Sequence, residues 1–511
     1  MRRLLDPLLA LLGIAAIALS LIGLAEATRG VGYAPLTIAG TPARVYRAPL
    51  TQPGPAVVIA HGFAGSQQLM GAFATTLARA GYIAVTFDFA GHGANPTPLG
   101  GSVDDLEGAT RVLVEETRRV AEVARALGDG RLAILGHSMA SDIVVRTAQE
   151  VDDIAATIAV SMFSPAVTAQ TPANLLVIAG EWEGRLREEA LRAVALALPE
   201  GEVAREGVTY GDFAEGTARR AVFASNVEHV GVLFSAVTLA ETRAWLDAAF
   251  GRASPPDAHL DGRGPFVVLL LLGSVLLARP LSRLLPAVVP MQAGGGLPWR
   301  FFWIVLVVPL VVTPVVLTFV PTQILPVLVA DYLVAHFALY GILTALSLVL
   351  ARRLSGIAPC APRIAFGPFA LASLAAIAYF ALAFAAPIDL FLTAFAPVPH
   401  RVPLIAAILI GTGSFFLADA WATHGPNAAR GAYPATKAAI LVSLGIAVAL
   451  DFERLLFLLI IVPVVIAFMI VFGAVGAVLG RATRHPAVPG LLNALVFAYA
   501  LGATFPLLSG R

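Results

Sequence analysis

From about Gly264 to Leu508 the sequence is a succession of long apolar runs separated by short polar links. A helix needs about 20 apolar residues to cross a bilayer. Lipid offers a backbone amide no hydrogen-bond partner, so runs of this kind are confined to helices packed on one another. Eight runs fall at approximately 265–286, 301–320, 323–350, 366–386, 402–422, 437–450, 454–479 and 486–508, and another lies at the start, Leu4 to Leu24. The first of the eight has the shortest uninterrupted apolar core, Pro265 to Ala278, and Pro309 and Pro314 are expected to kink the next. Only 13% of the 511 residues are charged, against about 25% in a soluble protein. Much of the chain must therefore lie in lipid, as an all-α multi-span bundle over residues 256–511.

Basic residues between the runs assign the sides of the membrane. With the N-terminus in the cytoplasm, the cytoplasmic links carry Arg2, Arg3, Arg279, Arg283, Arg300, Arg352, Arg353, Arg363, Arg430, Lys437, Arg481 and Arg484. The opposite links carry only Arg401, Arg454 and Arg511. Lys and Arg favour the cytoplasmic side of a membrane, so residues 28–255 are expected on the extracytoplasmic side of a cytoplasmic (inner) membrane. Cys360, the only cysteine, then falls in a cytoplasmic loop, which suits a free thiol. Residues 1–27 read as a transmembrane anchor. Arg2 and Arg3, the apolar stretch and Ala25-Glu26-Ala27 also fit a signal peptide, and either reading exports residues 28–255. A net charge of +1 argues against a nucleic-acid partner.

Between Tyr33 and Arg252 the pattern changes. Pro35 to Ala39 and Arg44 to Arg47 flank Gly40-Thr41-Pro42, as in a hairpin. Short apolar runs then alternate with helical periodicity: strands at Ala56–Ala60, Tyr82–Phe87, Arg131–Leu135, Ile154–Ser161, Asn174–Ala179 and Arg219–Ala224, and helices at Gln67–Ala80, Asp104–Leu127 and Ala236–Phe250. This alternation predicts an α/β domain with a mostly parallel sheet covered on both faces. Functional groups are expected on loops at the carboxyl ends of its strands.

One of those loops is Gly136-His137-Ser138-Met139-Ala140, between the run Arg131–Leu135 and a helix-like stretch Ser141–Gln149. Strand, sharp turn, serine and helix form a nucleophile elbow, whose strained backbone needs residues without bulk on either side of the serine. Gly136 and Ala140 supply them. His61-Gly62-Phe63 comes after the third strand, and Asp88-Phe89-Ala90-Gly91-His92-Gly93 after the fourth. Gly180-Glu181-Trp182-Glu183 comes after a late strand, and His229 precedes the final helix. With these strings in this order, the segment from about residue 33 to 250 resembles the α/β-hydrolase superfamily, in its esterase/lipase-like branch.

The resemblance implies Ser138 as nucleophile, His229 as its base and Glu183 as the acid that orients the imidazole, with Glu181 as the alternative acid. Most members carry Asp where Glu183 stands. The backbone N–H groups of Phe63 and Met139 would form the oxyanion hole. Residues 88–93 would be structural, and His92 lacks a second ligand at metal spacing, so neither metal nor cofactor is implied. The link from Ser161 to Asn174 is too short for a helical lid. The site should be open unless the membrane helices or the segment Arg185 to Gly216 cover it. An open site on a membrane-held domain favours ester or acyl substrates, small or lipid-like, near the bilayer. Peptidase and thioesterase chemistry stay open, as does a transporter or scaffold with a non-catalytic hydrolase-like domain.

In the apolar half, Asp331, His336, Asp389, His400, Asp419, His424, Asp451 and Glu453 interrupt the runs. Most are expected to be solvated at span ends. Asp331 and His336 are the best candidates for a polar lining facing the hydrolase-like domain, and Gly411-Thr412-Gly413-Ser414 for close helix packing.

Overall fold

The computed structural model describes residues 2–49, 53–100, 106–396 and 398–509. The expected helix start at Asp104, and Arg511, lie outside these residues. After the first helix, α1 (Arg2–Thr28), come the hairpin strands β1 (Gly32–Ile38) and β2 (Thr41–Arg47), then β3 (Ala56–Ala60), α2 (Gly71–Arg79), β4 (Ile83–Phe87) and α3 (Leu106–Leu127). β5 (Leu132–His137), α4 (Met139–Glu150), β6 (Ile154–Val160), β7 (Leu175–Gly180), α5 (Gly184–Ala195), β8 (Arg219–Ala224) and α6 (Ala236–Ala249) complete the α/β domain.

The eight strands form one sheet in the order β1-β2-β4-β3-β5-β6-β7-β8. Only the β1–β2 and β2–β4 pairs are antiparallel. The Ala56–Ala60 run reads as continuous apolar sequence because both faces of β3 are covered. Val57 and Ile59 enter a core with Phe73 and Leu77 of α2 and Trp245 and Leu246 of α6. Ala56, Val58 and Ala60 enter the opposite core with Val120 of α3 and Val144 of α4. Each fully buried Val or Ile of this kind contributes about 1.5–3 kcal/mol. Helix α2 starts at Gly71, later than the expected Gln67, because Gln67 is drawn to Asp88: its backbone N–H and Nε2 donate to that carboxylate at 2.7 and 2.9 Å.

The second half is helical: α7 (Arg263–Ser282), α8 (Trp299–Leu317), α9 (Ala330–Ser355), α10 (Phe366–Phe380), α11 (Ala386–Phe391), α12 (Val402–Thr423), α13 (Ala432–Leu450), α14 (Phe452–Thr483) and α15 (Ala487–Thr504). A single wide turn, Ala381–Ala385, joins α10 to α11 into one span. Among the described residues, nine spans are long and apolar enough to cross a membrane, the mark of a multi-pass membrane protein.

Two boundaries depart from the hydropathy reading. α9 begins at Ala330 rather than 323, because Val329 takes a φ of +66° and residues 326–328 pair with residues 506–508. α13 begins at Ala432, which puts Lys437 inside a span rather than in a link. There it is 7% exposed and ion-paired with Asp419 of α12, so Asp419 is not the solvated end group expected. His336 also departs from its expected place: it is fully buried inside the bundle, 3.1 Å from Ser443 Oγ of α13, rather than lining a face toward the sheet domain. Asp331 is buried in the first turn of α9. Of the small residues in α12, Gly411 makes the close approach, since a Cβ there would meet the Val334 carbonyl oxygen at 2.5 Å; around Gly413 the space is open.

Several contacts among the described residues join sheet domain and bundle. Arg79 of α2 donates to the carbonyl oxygens of Glu26, Ala27 and Arg29, which caps the end of α1. Arg263, at the start of α7, pairs with Asp261 and donates to Gly71 O and Thr75 Oγ1 of α2. The loops after β3 and β4 rest on the bundle: Ser66 Oγ accepts from Ala394 N–H, and Arg401 donates to Gly91 O. The carboxyl edge of the sheet therefore faces the bundle at β3 and β4.

Candidate active site

β5 runs straight into the elbow. Ser138 takes φ +55° and ψ −119°, a conformation non-glycine residues rarely adopt and one that surrounding structure must hold. Its N–H donates to Val160 O of β6 at 2.8 Å, and its carbonyl accepts from Ser141 N–H, also at 2.8 Å. The turn is tight enough that a Cβ at Gly136 would lie 2.4 Å from Ala140 O. That is the physical reason for a glycine there and for a small, fully buried Ala140.

Ser138 Oγ donates to Nε2 of His229 at 2.8 Å. Nδ1–H of His229 donates to Glu183 Oε1 at 2.5 Å. The structure thus brings together three side chains from the ends of β5, β7 and β8. Glu183 is well satisfied: its Oε2 accepts from Gly180 N–H and from Ser161 Oγ, both at 2.7 Å. Burial opposes its ionisation. The hydrogen bond and charge of His229, with the Gly180 and Ser161 donors, outweigh that and hold the carboxyl below the usual Glu range. Glu181 points elsewhere, accepting from Asn226 N–H at 2.8 Å, so it braces the loop that carries His229.

That loop has a second brace. Nε2–H of His137 donates to the carbonyl oxygen of His229 at 3.0 Å, and the two rings pack 4.9 Å apart. Burial drives the His137 pKa down to about 3, so the ring is neutral. Neither this role nor that of Ser161 was visible in the sequence. Ser161 follows β6 directly and takes φ +51°.

Met139 is the first residue of α4, so its N–H has no acceptor within the helix. Phe63 sits in the turn after β3, next to the elbow: a Cβ at Gly62 would lie 3.0 Å from Ser138 Cβ. Phe63 is half-buried against the core of the bundle, and Met139 against a core that contains Leu508. His61 and His92 lie behind the turn, fully buried. His61 accepts Phe89 N–H on Nε2 and donates from Nδ1 to Gly62 O. Burial lowers the pKa of both rings, that of His92 to about 3.

Among the described residues no helical lid covers the mouth, and the segment 185–216 does not close over it. α5 packs on the sheet through Ala190, Ala193 and Val194, and residues 207 and 210 pair along β8. Phe163 and Trp182, on the loops after β6 and β7, are 68% and 66% exposed.

Residues 51–205 match the family model described as serine aminopeptidase, S33. No curated protein matches the chain. Among solved structures, TT1662 from Thermus thermophilus is 20% identical, with 43% of this chain and 98% of that chain covered and a TM-score of 0.32. A membrane phospholipase A, described as a novel bacterial virulence factor, is 16% identical, with 49% and 99% covered and a TM-score of 0.30. The epoxide hydrolase VrEH1 from Vigna radiata is 21% identical, with 27% and 40% covered and a TM-score of 0.22.

Proposed function

We propose that this chain, whose sheet domain is an α/β hydrolase, is a membrane-held serine hydrolase that cleaves a carboxylic ester through an acyl-Ser138 intermediate. The observation that carries the reading is the unbroken hydrogen-bond line from Ser138 Oγ through His229 to Glu183, at 2.8 and 2.5 Å. His229 Nε2 takes the Ser138 proton as Oγ attacks the carbonyl carbon. Glu183 holds the imidazole in the Nδ1–H tautomer and balances the charge it gains. The N–H groups of Met139 and Phe63 receive the oxyanion. The imidazolium then gives its proton to the leaving alcohol, and a water activated by the same nitrogen releases the acid.

Apolar, lipid-like acyl groups suit this site best. Phe63 and Met139, on either side of Ser138, rest on apolar residues of the bundle and its C-terminal segment. The sheet domain is on the extracytoplasmic side in this reading, because Arg279, Arg283, Arg352, Arg353, Arg430, Arg481 and Arg484 sit at helix ends remote from it.

The family description favours one second reading, an aminopeptidase. That activity needs a carboxylate for the substrate's α-ammonium group, and exposed Glu181 beside the mouth is the candidate.

Fluorophosphonate labelling tests the proposal. Wild type should label and Ser138→Ala should not. p-Nitrophenyl esters should be cleaved faster as the acyl chain lengthens, and aminoacyl p-nitroanilides slowly or not at all. A folded wild type that does not label would favour a transporter or scaffold with a non-catalytic sheet domain.

A further inference from the structure

Beyond α15 the chain continues as an extended segment wedged between the two halves of the molecule. On one side Leu507 N–H donates to Gly91 O at 2.9 Å, Leu99 N–H to Leu507 O at 2.8 Å, and Ser509 N–H to Leu99 O at 2.9 Å. On the other, Leu328 N–H donates to Pro506 O and Leu508 N–H to Pro326 O, at 3.2 and 3.0 Å. Arg401, 1% exposed, fastens the seam. Its Nη1 donates to Gly502 O and Phe505 O at 2.9 and 2.8 Å, and its Nη2 to Gly91 O at 2.6 Å. No carboxylate among the described residues pairs with it. The guanidinium is spent on three carbonyls from two domains.

Phe505, at the head of this segment, meets the turn after β3. Its ring stands edge-on to that of Phe63, with centroids 6.0 Å apart and planes at 89°. The ring of His92 lies 6.3 Å from Phe63. The turn is irregular, with Ala64 at φ +54°, so the side chain of Phe63, held between Phe505 and His92, fixes where its backbone lies.

We propose that Phe505, seated by the Arg401 clamp, is a positioning residue for the oxyanion hole: the bundle's C-terminal segment holds the Phe63 N–H at the place where the oxyanion forms. The inference rests on the serine-hydrolase reading above. A displacement of about 1 Å in a group of this kind costs about a hundredfold in rate, and complete loss of one oxyanion donor costs about 10²–10³. The hydrolase domain is then competent only with the end of the bundle docked against it, which gives a physical reason for the two halves to share one chain.

The test uses full-length protein in detergent micelles, with active sites counted by the fluorophosphonate endpoint. Phe505→Ala should lower kcat per titrated site 10- to 100-fold toward a p-nitrophenyl ester, with KM within threefold and the endpoint unchanged. Phe505→Tyr, which keeps the ring edge, should return kcat to within threefold of wild type. Leu507→Pro, which removes the donor to Gly91 without touching Phe63, should show the same kcat loss as Phe505→Ala. If Phe505→Ala does not give monodisperse protein, Phe505→Leu should show a loss of about tenfold. A kcat per titrated site within threefold of wild type in these variants would overturn the proposal, as would activity falling only in step with the endpoint. An unlabelled wild type would instead remove the serine-hydrolase reading on which this one rests.

Discussion

His137 holds the loop that carries His229 by its backbone: its Nε2–H donates to the carbonyl oxygen of His229 at 3.0 Å while the two rings pack at a tilt, 4.9 Å apart. A hydrogen bond of this sort is worth about 1 kcal/mol. His137→Phe keeps the ring packing and deletes the donor. It should lower kcat about five- to tenfold with little change in KM, measured per titrated active site. An unchanged kcat would mean that Glu181, through Asn226 N–H, holds the loop without it.

The two carboxylates after β7 have separate tasks, and substitution should separate them. Glu183→Gln removes the charge facing Nδ1 of His229 and lets the amide favour the wrong tautomer. The expected loss in kcat is about 10²–10⁴. Glu183→Asp shortens the reach and should cost less. Glu181→Gln keeps an acceptor for Asn226 N–H and should stay within threefold of wild type on esters. Equal losses for the two Gln variants would contradict the geometry.

Three buried histidines tie the sheet domain's stability to pH. Burial lowers the pKa of His61, and that of His92 and of His137 to about 3. In the unfolded chain each titrates near 6.5. Above that value both states hold the rings neutral, so stability is full. As pH falls below 6.5, only the unfolded state binds the protons, and stability is lost progressively toward pH 3. At pH 5 the loss is roughly 2 kcal/mol for a ring of this kind. Thermal inactivation midpoints should therefore fall between pH 7 and pH 5, and His92→Gln should flatten that slope. A midpoint independent of pH over this range would contradict the account.

How much of this was open to inspection in the sequence differs between the halves. The elbow and the apolar spans are local patterns, each depending on periodicity or a few adjacent residues, whereas the roles of Glu183 and His229 came only from the family resemblance. Glu183 was preferred to Glu181 on the resemblance alone, because two residues of spacing do not say which carboxylate faces inward; Gly180 N–H and Ser161 Oγ turn Glu183 toward His229. Arg401 read as an outer-side link residue and proved a buried clamp to Gly91, 310 positions away. A contact of that range leaves no trace in hydropathy. The span start at 323 failed for a similar reason: residues 326–328 pair as extended chain with the C-terminal segment and are not helical.

Cys360 reports the orientation of the membrane half. It is partly exposed in the link between α9 and α10, where its N–H and C=O pair with Gly294. In intact cells a membrane-impermeant maleimide should leave it unlabelled, and permeabilisation should expose it. As the only cysteine it needs no engineered background. Labelling in intact cells would reverse the assigned sides.

Lys437 and Asp419 form an ion pair between α13 and α12, with the ammonium 4.3 Å from the centre of the Tyr433 ring and 5.2 Å from that of Phe415. The carboxylate is 3% exposed, and its Oδ1 has no hydrogen-bond partner among the described residues. Two charges so placed are held mainly by each other. Lys437→Met leaves Asp419 uncompensated and should cost about 3–5 kcal/mol, because a lone buried charge is far worse than a pair. Asp419→Leu should do similar harm. The double variant, which replaces the pair with apolar groups of similar volume, should recover most of that loss or all of it. Detergent-solubilised melting, monitored as loss of the monodisperse peak on heating, would read the three variants together. Losses that simply add would show that the two charges do not depend on one another. The sheet domain should keep its fluorophosphonate labelling in the double variant, since neither residue touches the seam at Arg401.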